Sequence, residues 1–563
     1  MFQDNLFREL VVDNFAGGGG ASTGMELALG YPVDIAVNHD ADAIAMHKVN
    51  HPYTRHFQED VFAIDPVQVT GGRAVGIAWF SPDCKHFSRA KGGKPVDKKI
   101  RGLSWVVLRW AMSSVAPRVI FMENVPEIKT WCPLIEIDGQ MRPDPAREGE
   151  TFNGFVSMLT GGIEKEHPAF SEACEFLKIE PDSEEGDRLA AGLGYAVAWK
   201  ELKACDYDAP TIRNRFYLIA RRDGQPIVFP EPTHGKGRKP YRTAAECIDW
   251  SLACPSIFGR KKELAENTLR RIARGLDKFV LRNASPYIMS NNTNNVPHGV
   301  NEPLPTQTTG NRNYLCAPSL IQYHSEQGKG EVRGQEANKP IMTIDGSPRY
   351  AMSACYLTKY FSGARQAGAS LSEPTPTVTA IDHSALAAAN LLHYYGGADH
   401  ASRVDNPLPT VTTLPRHYVV KTYLQKIDTA QDFGNWECVR ELLNKYAGYS
   451  IAADEILIME IDGERYFISD IGMRMLKARE LMLAQGFPPD YIIDIESHIG
   501  KRYSEAKQIA RMGNAVCPPV AEALVRANCA EIASQRVIAT MAMLNAVIDE
   551  SCHRKRQYRR AAQ

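Results

Sequence analysis

Leu10-Val11-Val12-Asp13, a short apolar run, passes through Phe15-Ala16-Gly17-Gly18-Gly19-Gly20 into residues 21–29, where Met25, Leu27, Ala28 and Leu29 supply apolar faces at helical spacing. Buried strand, glycine turn, helix is the opening of a nucleotide-type α/β sheet, because glycine lets the backbone bend and come close to a ligand at a helix N-terminus. Such a turn alone serves equally as a tight connection with no ligand. The elements after it decide between the two. Residues 34–37 read as a second strand closed by Asn38-His39-Asp40, and 41–49 as a helix. Gln58-Glu59-Asp60-Val61 ends a third element, and Ile77 to Phe80 a fourth that runs into Ser81-Pro82-Asp83-Cys84. The order is β-α-β-α-β-β, with a polar cluster at each strand terminus, where open α/β sheets hold their ligands.

Cys84 therefore stands where a nucleophile would, although free cysteine is also among the most buried residue types. Its companions favour chemistry. The loop after it, KHFSRAKGGKPVDKKIRG, is rich in base and glycine, so Ser88, Arg89 and Lys91 are candidates for phosphate contact, with a solvated surface loop as the alternative. A helix over 103–115 leads to the strand Val119-Ile120-Phe121-Met122, which ends in Glu123-Asn124-Val125-Pro126. A carboxylate on the strand beside that of Cys84 reaches the same ligand, a far more specific constellation than either group alone. From 127 to 191 the chain is an acidic insertion with no recognisable chemistry. Beyond it, Arg213 and Arg215 alternate along the entry to a strand over 216–220, which would put both guanidinium groups on one face.

With 563 residues, the chain has room for a large core and a further domain. No apolar window reaches the roughly 18 to 20 residues of a membrane span, and the N-terminus lacks a signal-peptide layout, so a cytoplasmic protein is expected. The twelve cysteines show neither CxxC pairs nor zinc-ligand spacing and read as reduced thiols, with no metal site. Net charge is only −1, yet residues 234–282 hold 12 Lys and Arg against 5 Asp and Glu, while 164–187 hold 2 against 9. That segregation fits a basic surface facing a polyanion, or simply two solvated faces.

FAGGGG, PDC, ENV and RNR, followed by RELMLAQGFPPDY and RMGNAVCPPVAEAL, resemble in content and order the motifs of the DNA (cytosine-5)-methyltransferases of bacterial and phage modification systems. The resemblance implies an α/β fold, a Rossmann-like S-adenosylmethionine-dependent methyltransferase core with a mostly-β target-recognition domain. It implies a catalytic domain over 1–230, recognition over 231–472, a C-terminal part over 473–550 completing the catalytic domain, and a basic tail over 551–563. Cys84 would add to C6 of a flipped-out cytosine, Glu123 would hold N3 and the exocyclic amine, and Arg213 and Arg215 would orient the base and its phosphate. S-adenosylmethionine would lie against Phe15, Ala16, Gly17, Gly19, Gly20, Asn38, His39, Asp60, Val61, Pro82, Asn514 and Ala515, leaving S-adenosylhomocysteine as product. Duplex DNA is the implied partner of a monomer, with a cognate restriction endonuclease as a possible companion. Three positions depart from the family pattern: Asp83 replaces a usual proline, Thr211 a usual glutamine, and Asn38 a usual acid. A tRNA methyltransferase and a catalytically silent DNA-binding regulator would carry similar motifs. A dinucleotide oxidoreductase is what the glycine turn alone would permit.

In the recognition segment, VNEPLPT, ANKPIMT, LSEPTPT and VDNPLPT are four copies of one motif, with Pro303, Pro340, Pro374 and Pro407 spaced 37, 34 and 33 residues apart. Each precedes an apolar or aromatic run, beginning near Tyr314, Tyr350, Ala385 and Tyr418. A fixed period in this range predicts repeated units, and the proline-threonine content favours β elements. Ahead of them, residues 264–279 predict a helix with Leu269, Ile272, Leu276 and Phe279 inward and Arg270, Arg271 and Arg274 offered to phosphates.

Overall fold

The structure is a computed structural model. It describes residues 8–84, 87, 98–137, 139–249, 251–281, 287–290, 298–299, 313–316, 320–322, 334–335, 350–352, 355–359, 368–369, 384–393, 401–402, 417–427, 430, 432–461, 464–497 and 499–533. Two compact units emerge: one from 1–207, 214–233 and 486–563, the other from 208–213 and 234–485.

The first unit is built on a seven-stranded sheet, β3-β2-β1-β4-β5-β9-β8. Its strands are β1 (Leu10–Asn14), β2 (Ile35–Val37), β3 (Arg55–Phe57), β4 (Val75–Phe80), β5 (Val119–Asn124), β8 (Ala196–Lys203) and β9 (Asn214–Arg221). The first five run parallel, and β9 enters antiparallel to β5 and β8. Strands β1, β2, β4 and β5 are buried throughout, the continuous apolar pattern of strands covered on both faces. Order reverses between β1 and β4, so the crevice at this switch point opens beyond their carboxyl ends, where the glycine turn and Cys84 lie.

Helices α1 (Gly20–Leu29) and α2 (Ala41–Asn50) follow β1 and β2 as expected. Two local readings need correction. Between β3 and β4 lies a helix, α3 (Pro66–Thr70), N-capped by Asp65 and closed by Gly71 at φ 64°. The expected helix over 103–115 is instead α4 (Lys98–Arg101), a 3₁₀ segment Gly102–Trp105, and α5 (Val106–Met112). The insertion folds as a hairpin, β6 (Leu134–Ile137) and β7 (Gln140–Pro143), then α6 (Glu150–Leu159), α7 (Pro168–Leu177) and α8 (Glu184–Ala191). It buries Phe152, Phe155, Phe170 and Leu177 in the same core as Phe80, Trp105 and Trp110. The C-terminal helix Pro518–Asn528 returns to α1 so closely that a Cβ on Gly24 would lie 2.5 Å from that of Ala521, and one on Gly20 2.0 Å from the Val516 carbonyl oxygen. Among the described residues no helix is long and apolar enough to cross a membrane.

The second unit is mostly β. All four runs that come after the repeated motif contain strands: Asn313–Cys316, Tyr350–Met352, Ser384–His393 and His417–Lys426. The last three share one sheet, where His417–Lys426 pairs antiparallel with Ser384–His393 and with Glu464–Met475, while Asn313–Cys316 pairs in a separate three-stranded sheet. The four motif prolines lie outside the described residues. The predicted basic helix is Glu266–Leu276, with Ile272 and Leu276 fully buried.

Candidate active site

Parallel pairing of β4 with β5, Phe80 opposite Met122, brings the residues just past β4 beside the end of β5. Asn124 fixes the two together: its Nδ2 donates to the Pro82 carbonyl at 3.3 Å and its Oδ1 accepts from Val125 N at 2.8 Å. Cys84 comes next at intermediate burial, and its carbonyl accepts from Phe87 N at 3.0 Å, closing a turn. Because β9 is antiparallel, its amino end lies beside the carboxyl end of β5, and Arg215 Nε comes to 3.3 Å from Glu123 Oε1. Both side chains are nearly buried, 5% and 6% exposed. A cation and an acid so placed satisfy each other where either alone would be costly. Strand β9 begins at Asn214, so Arg213 precedes it and belongs to the second unit, where it is buried and its N lies 3.4 Å from Thr211 Oγ1.

The other described cysteines of this unit are poor nucleophiles. Cys132, Cys174, Cys205, Cys517 and Cys529 are buried, and burial pushes the thiols of Cys132, Cys174, Cys205 and Cys529 upward, away from the reactive thiolate. Among the described residues no His, Cys, Asp and Glu grouping suits a metal ion.

The glycine turn carries real backbone constraint. Phe15 has φ 65°, Gly17 51° and Gly19 80°. A bulky aromatic held there costs about 1 to 3 kcal/mol, strain that clusters at ligand sites. A Cβ on Gly17 would meet only the Phe15 carbonyl oxygen, at 3.5 Å, so this side of the turn is open, whereas Gly19 abuts Tyr491 and His51. Ala16 N donates to the Val37 carbonyl at 3.1 Å, joining the turn to the end of β2. Around it His39, Asp60 and Asn514 are exposed, Asn38 is half-buried, and Val61, Pro82 and Ala515 are buried. An open glycine turn at the carboxyl end of β1 leaves room for a ligand to approach the backbone. Asp40 is engaged elsewhere: it caps α2 and pairs with Arg511 Nη2 at 2.5 Å.

Beneath this turn lies a polar network that sequence reading missed. Ser22 Oγ donates to Asp13 Oδ2 at 2.7 Å, so His47 Nε2, at 3.0 Å, must donate to Ser22. His47 Nδ1 then accepts from His56 Nε2 at 2.8 Å. His51, its ring 4.3 Å from that of His47, places Nδ1 3.0 Å from Glu26 Oε2, and Tyr491 OH donates to the Gly18 carbonyl at 2.7 Å. Burial pushes the Asp13 carboxyl up to about 7, and holds His47 well below its ordinary value and His56 down to about 4. Three histidines within ten residues of one another, one on α2 and one four residues on at its C-cap, were the available signal.

The Asp13 shift carries a stability prediction. The folded carboxyl binds its proton more tightly than the unfolded one, so stability falls as pH rises from about 4 to about 7 and stays lowered above that. Asp13→Asn should gain up to about 4 kcal/mol at pH 8, less what the weaker Ser22 hydrogen bond costs. It should gain nothing at pH 4, as thermal unfolding at both pH values would show.

Of the expected DNA contacts, Ser88, Arg89 and Lys91 lie outside the described residues, and so does the side chain of Arg271. Arg270 pairs with Glu266 at 3.3 Å and its guanidinium lies 5.8 Å from the Tyr446 ring; Arg274 is half-buried on the same helix.

Residues 10–131 and 402–529 match the family described as C-5 cytosine-specific DNA methylase. The Type II methyltransferase M.AgeI of Thalassovita gelatinovora is 24% identical over 233 residues, covering 40% of this chain and 43% of its own length. The chain thus spans less than half of that relative. M.AquIA of Picosynechococcus is 23% identical over 255 residues, 42% of this chain and 87% of its own. The solved S. pombe Dnmt2 methyltransferase is 11% identical at a TM-score of 0.38, over 92% of this chain and 97% of that one.

Proposed function

We propose, from the match of residues 10–131 and 402–529 to the C-5 cytosine-specific DNA methylase family, that the chain methylates C5 of a flipped-out cytosine in duplex DNA, with Cys84 as nucleophile. The observation that carries the reading is the joined end of β4 and β5, where Asn124 ties the Cys84 turn to the strand of Glu123, and Arg215 braces Glu123 from β9.

C5 of cytosine is a poor nucleophile in an aromatic ring. Attack of the Cys84 thiolate on C6 forms an S–C6 bond and turns the ring into an enamine whose C5 can accept an electrophile. Glu123 holds N3 and the exocyclic amine, gives N3 a proton as C6 is attacked and takes it back when the ring re-forms, while Arg215 fixes the carboxylate in place. S-adenosylmethionine, when bound, supplies the methyl group, and the residues suited to hold it are Phe15, Ala16, Gly17, Gly19, Gly20, Asn38, His39, Asp60, Val61, Pro82, Asn514 and Ala515. Loss of the C5 proton to solvent and breakage of the S–C6 bond then restore the aromatic ring and the thiolate. The stacked duplex hides C6 from any side chain, so the base must leave the stack, at roughly a few kcal/mol. Arg213 is assigned to the flipped base and its phosphate. Arg270, Arg271, Arg274 and the loop residues Ser88, Arg89 and Lys91 are assigned to phosphates along the duplex.

Bisulfite sequencing of DNA from cells expressing the chain tests this directly. The expected result is one methylated cytosine within a short defined site. Methylation of tRNA alone in a labelled-donor assay would defeat the duplex-DNA assignment, and absence of any methylation would defeat the whole reading.

A further inference from the structure

The acidic insertion gave no chemistry in sequence, yet its helix α7 is wedged between two parts of the site. The Phe176 ring lies 5.9 Å from that of Phe62, which comes just after Asp60 and Val61 beyond the end of β3. On its other side the ring meets backbone: a Cβ on Gly102 would lie 2.4 Å from Phe176 Cζ. Only glycine allows this approach.

The contacts continue from Gly102 to the nucleophile. The neighbouring Arg101, only 3% exposed, places its guanidinium 5.0 Å from the Phe87 ring and donates to the Cys132 carbonyl at 3.3 Å. Phe87 packs edge-on against Trp131 at 5.8 Å, and its backbone N closes the Cys84 turn. Two further bonds hold α7 against this path. Glu172 accepts from Trp105 Nε1 at 3.1 Å, and Arg109 on α5 donates both to the Phe62 carbonyl and, at 3.2 Å, to the Leu177 carbonyl. A close-packed chain of this kind moves as a unit, because interiors at crystal-like density have no slack to absorb a shift.

We propose that Phe176 is a positioning residue that couples the cofactor end of β3 to the turn carrying Cys84, so that a ligand held at Asp60 to Phe62 changes the reactivity of the thiol. The proposal rests on the reading of those two places as cofactor site and nucleophile.

The experiment uses the full chain and S-adenosylhomocysteine, which binds without reacting. The rate of Cys84 alkylation by iodoacetamide is tracked at peptide level by mass spectrometry, with and without saturating ligand, and ligand affinity is measured by calorimetry. Wild type should show a ligand effect of about 5-fold or more, the lower end of ordinary coupling between sites. Phe176→Ala should reduce that ratio to near one. Gly102→Ala should do likewise, because it pushes the same ring without emptying its site. Phe170→Leu, a buried change six residues earlier on the same helix, should lower the melting temperature but keep the ratio.

An unchanged ratio in Phe176→Ala, a ratio lost equally in Phe170→Leu, or no ligand effect in wild type overturns the proposal while leaving the methyltransferase reading intact. Failure of S-adenosylhomocysteine to bind wild type overturns both.

Discussion

Cys84→Ser should lower methyl transfer on the order of 10³-fold or more while leaving the fold intact. The cost comes from chemistry, since in the proposed reaction the thiolate is the nucleophile and a serine hydroxyl is scarcely ionised at neutral pH. Packing should change little, because Cys84 is only partly buried and the oxygen is smaller than the sulfur it replaces. The other described cysteines of the catalytic unit cannot stand in, as they are buried. Labelled methyl transfer to duplex DNA measures the rate, and trapping on 5-fluorocytosine DNA measures the adduct. The variant should give no adduct with melting temperature and S-adenosylmethionine affinity preserved. Product formed at the wild-type rate would eliminate the covalent route.

What the sequence disclosed, and what it hid, divides along local and long-range lines. The glycine turn, the strand of Cys84 and the strand of Glu123 are read from neighbouring residues, and each appears with its polar residues at the carboxyl end of a central strand. Helix α3 was equally local: Asp65 as cap, Pro66 in the first turn and Gly71 at the close are its signals, and they went unread. The close approach at Gly102 could not be found this way, because its partner is Phe176, more than seventy residues on. The pairing of Arg215 with Glu123 has the same character. Motif order put both in the site, but only the antiparallel entry of β9 beside β5 explains why the guanidinium meets the carboxylate. Asp13, Ser22, His47 and His56 come from β1, α1, α2 and β3, so their network exists only once the sheet and its helices have assembled.

Glu123→Gln should reduce kcat by about 10²- to 10⁴-fold, the range general acid–base groups supply. The amide keeps the volume of the side chain, but it has no acidic proton to give N3, where negative charge develops when C6 is attacked. A second loss is built into the site. Arg215 would remain nearly buried with a neutral partner, and breaking one side of a buried ion pair costs about 3 to 5 kcal/mol in stability when nothing compensates. The two losses separate by measurement. The stability cost shows in thermal unfolding without DNA, whereas the catalytic cost shows in kcat at a temperature where the variant is fully folded. Arg215→Gln in the same background should restore part of the stability, by removing the cation left against a neutral amide, and restore none of the rate. A variant that recovered both together would mean that Glu123 serves only to neutralise Arg215, and the acid would have to be sought elsewhere.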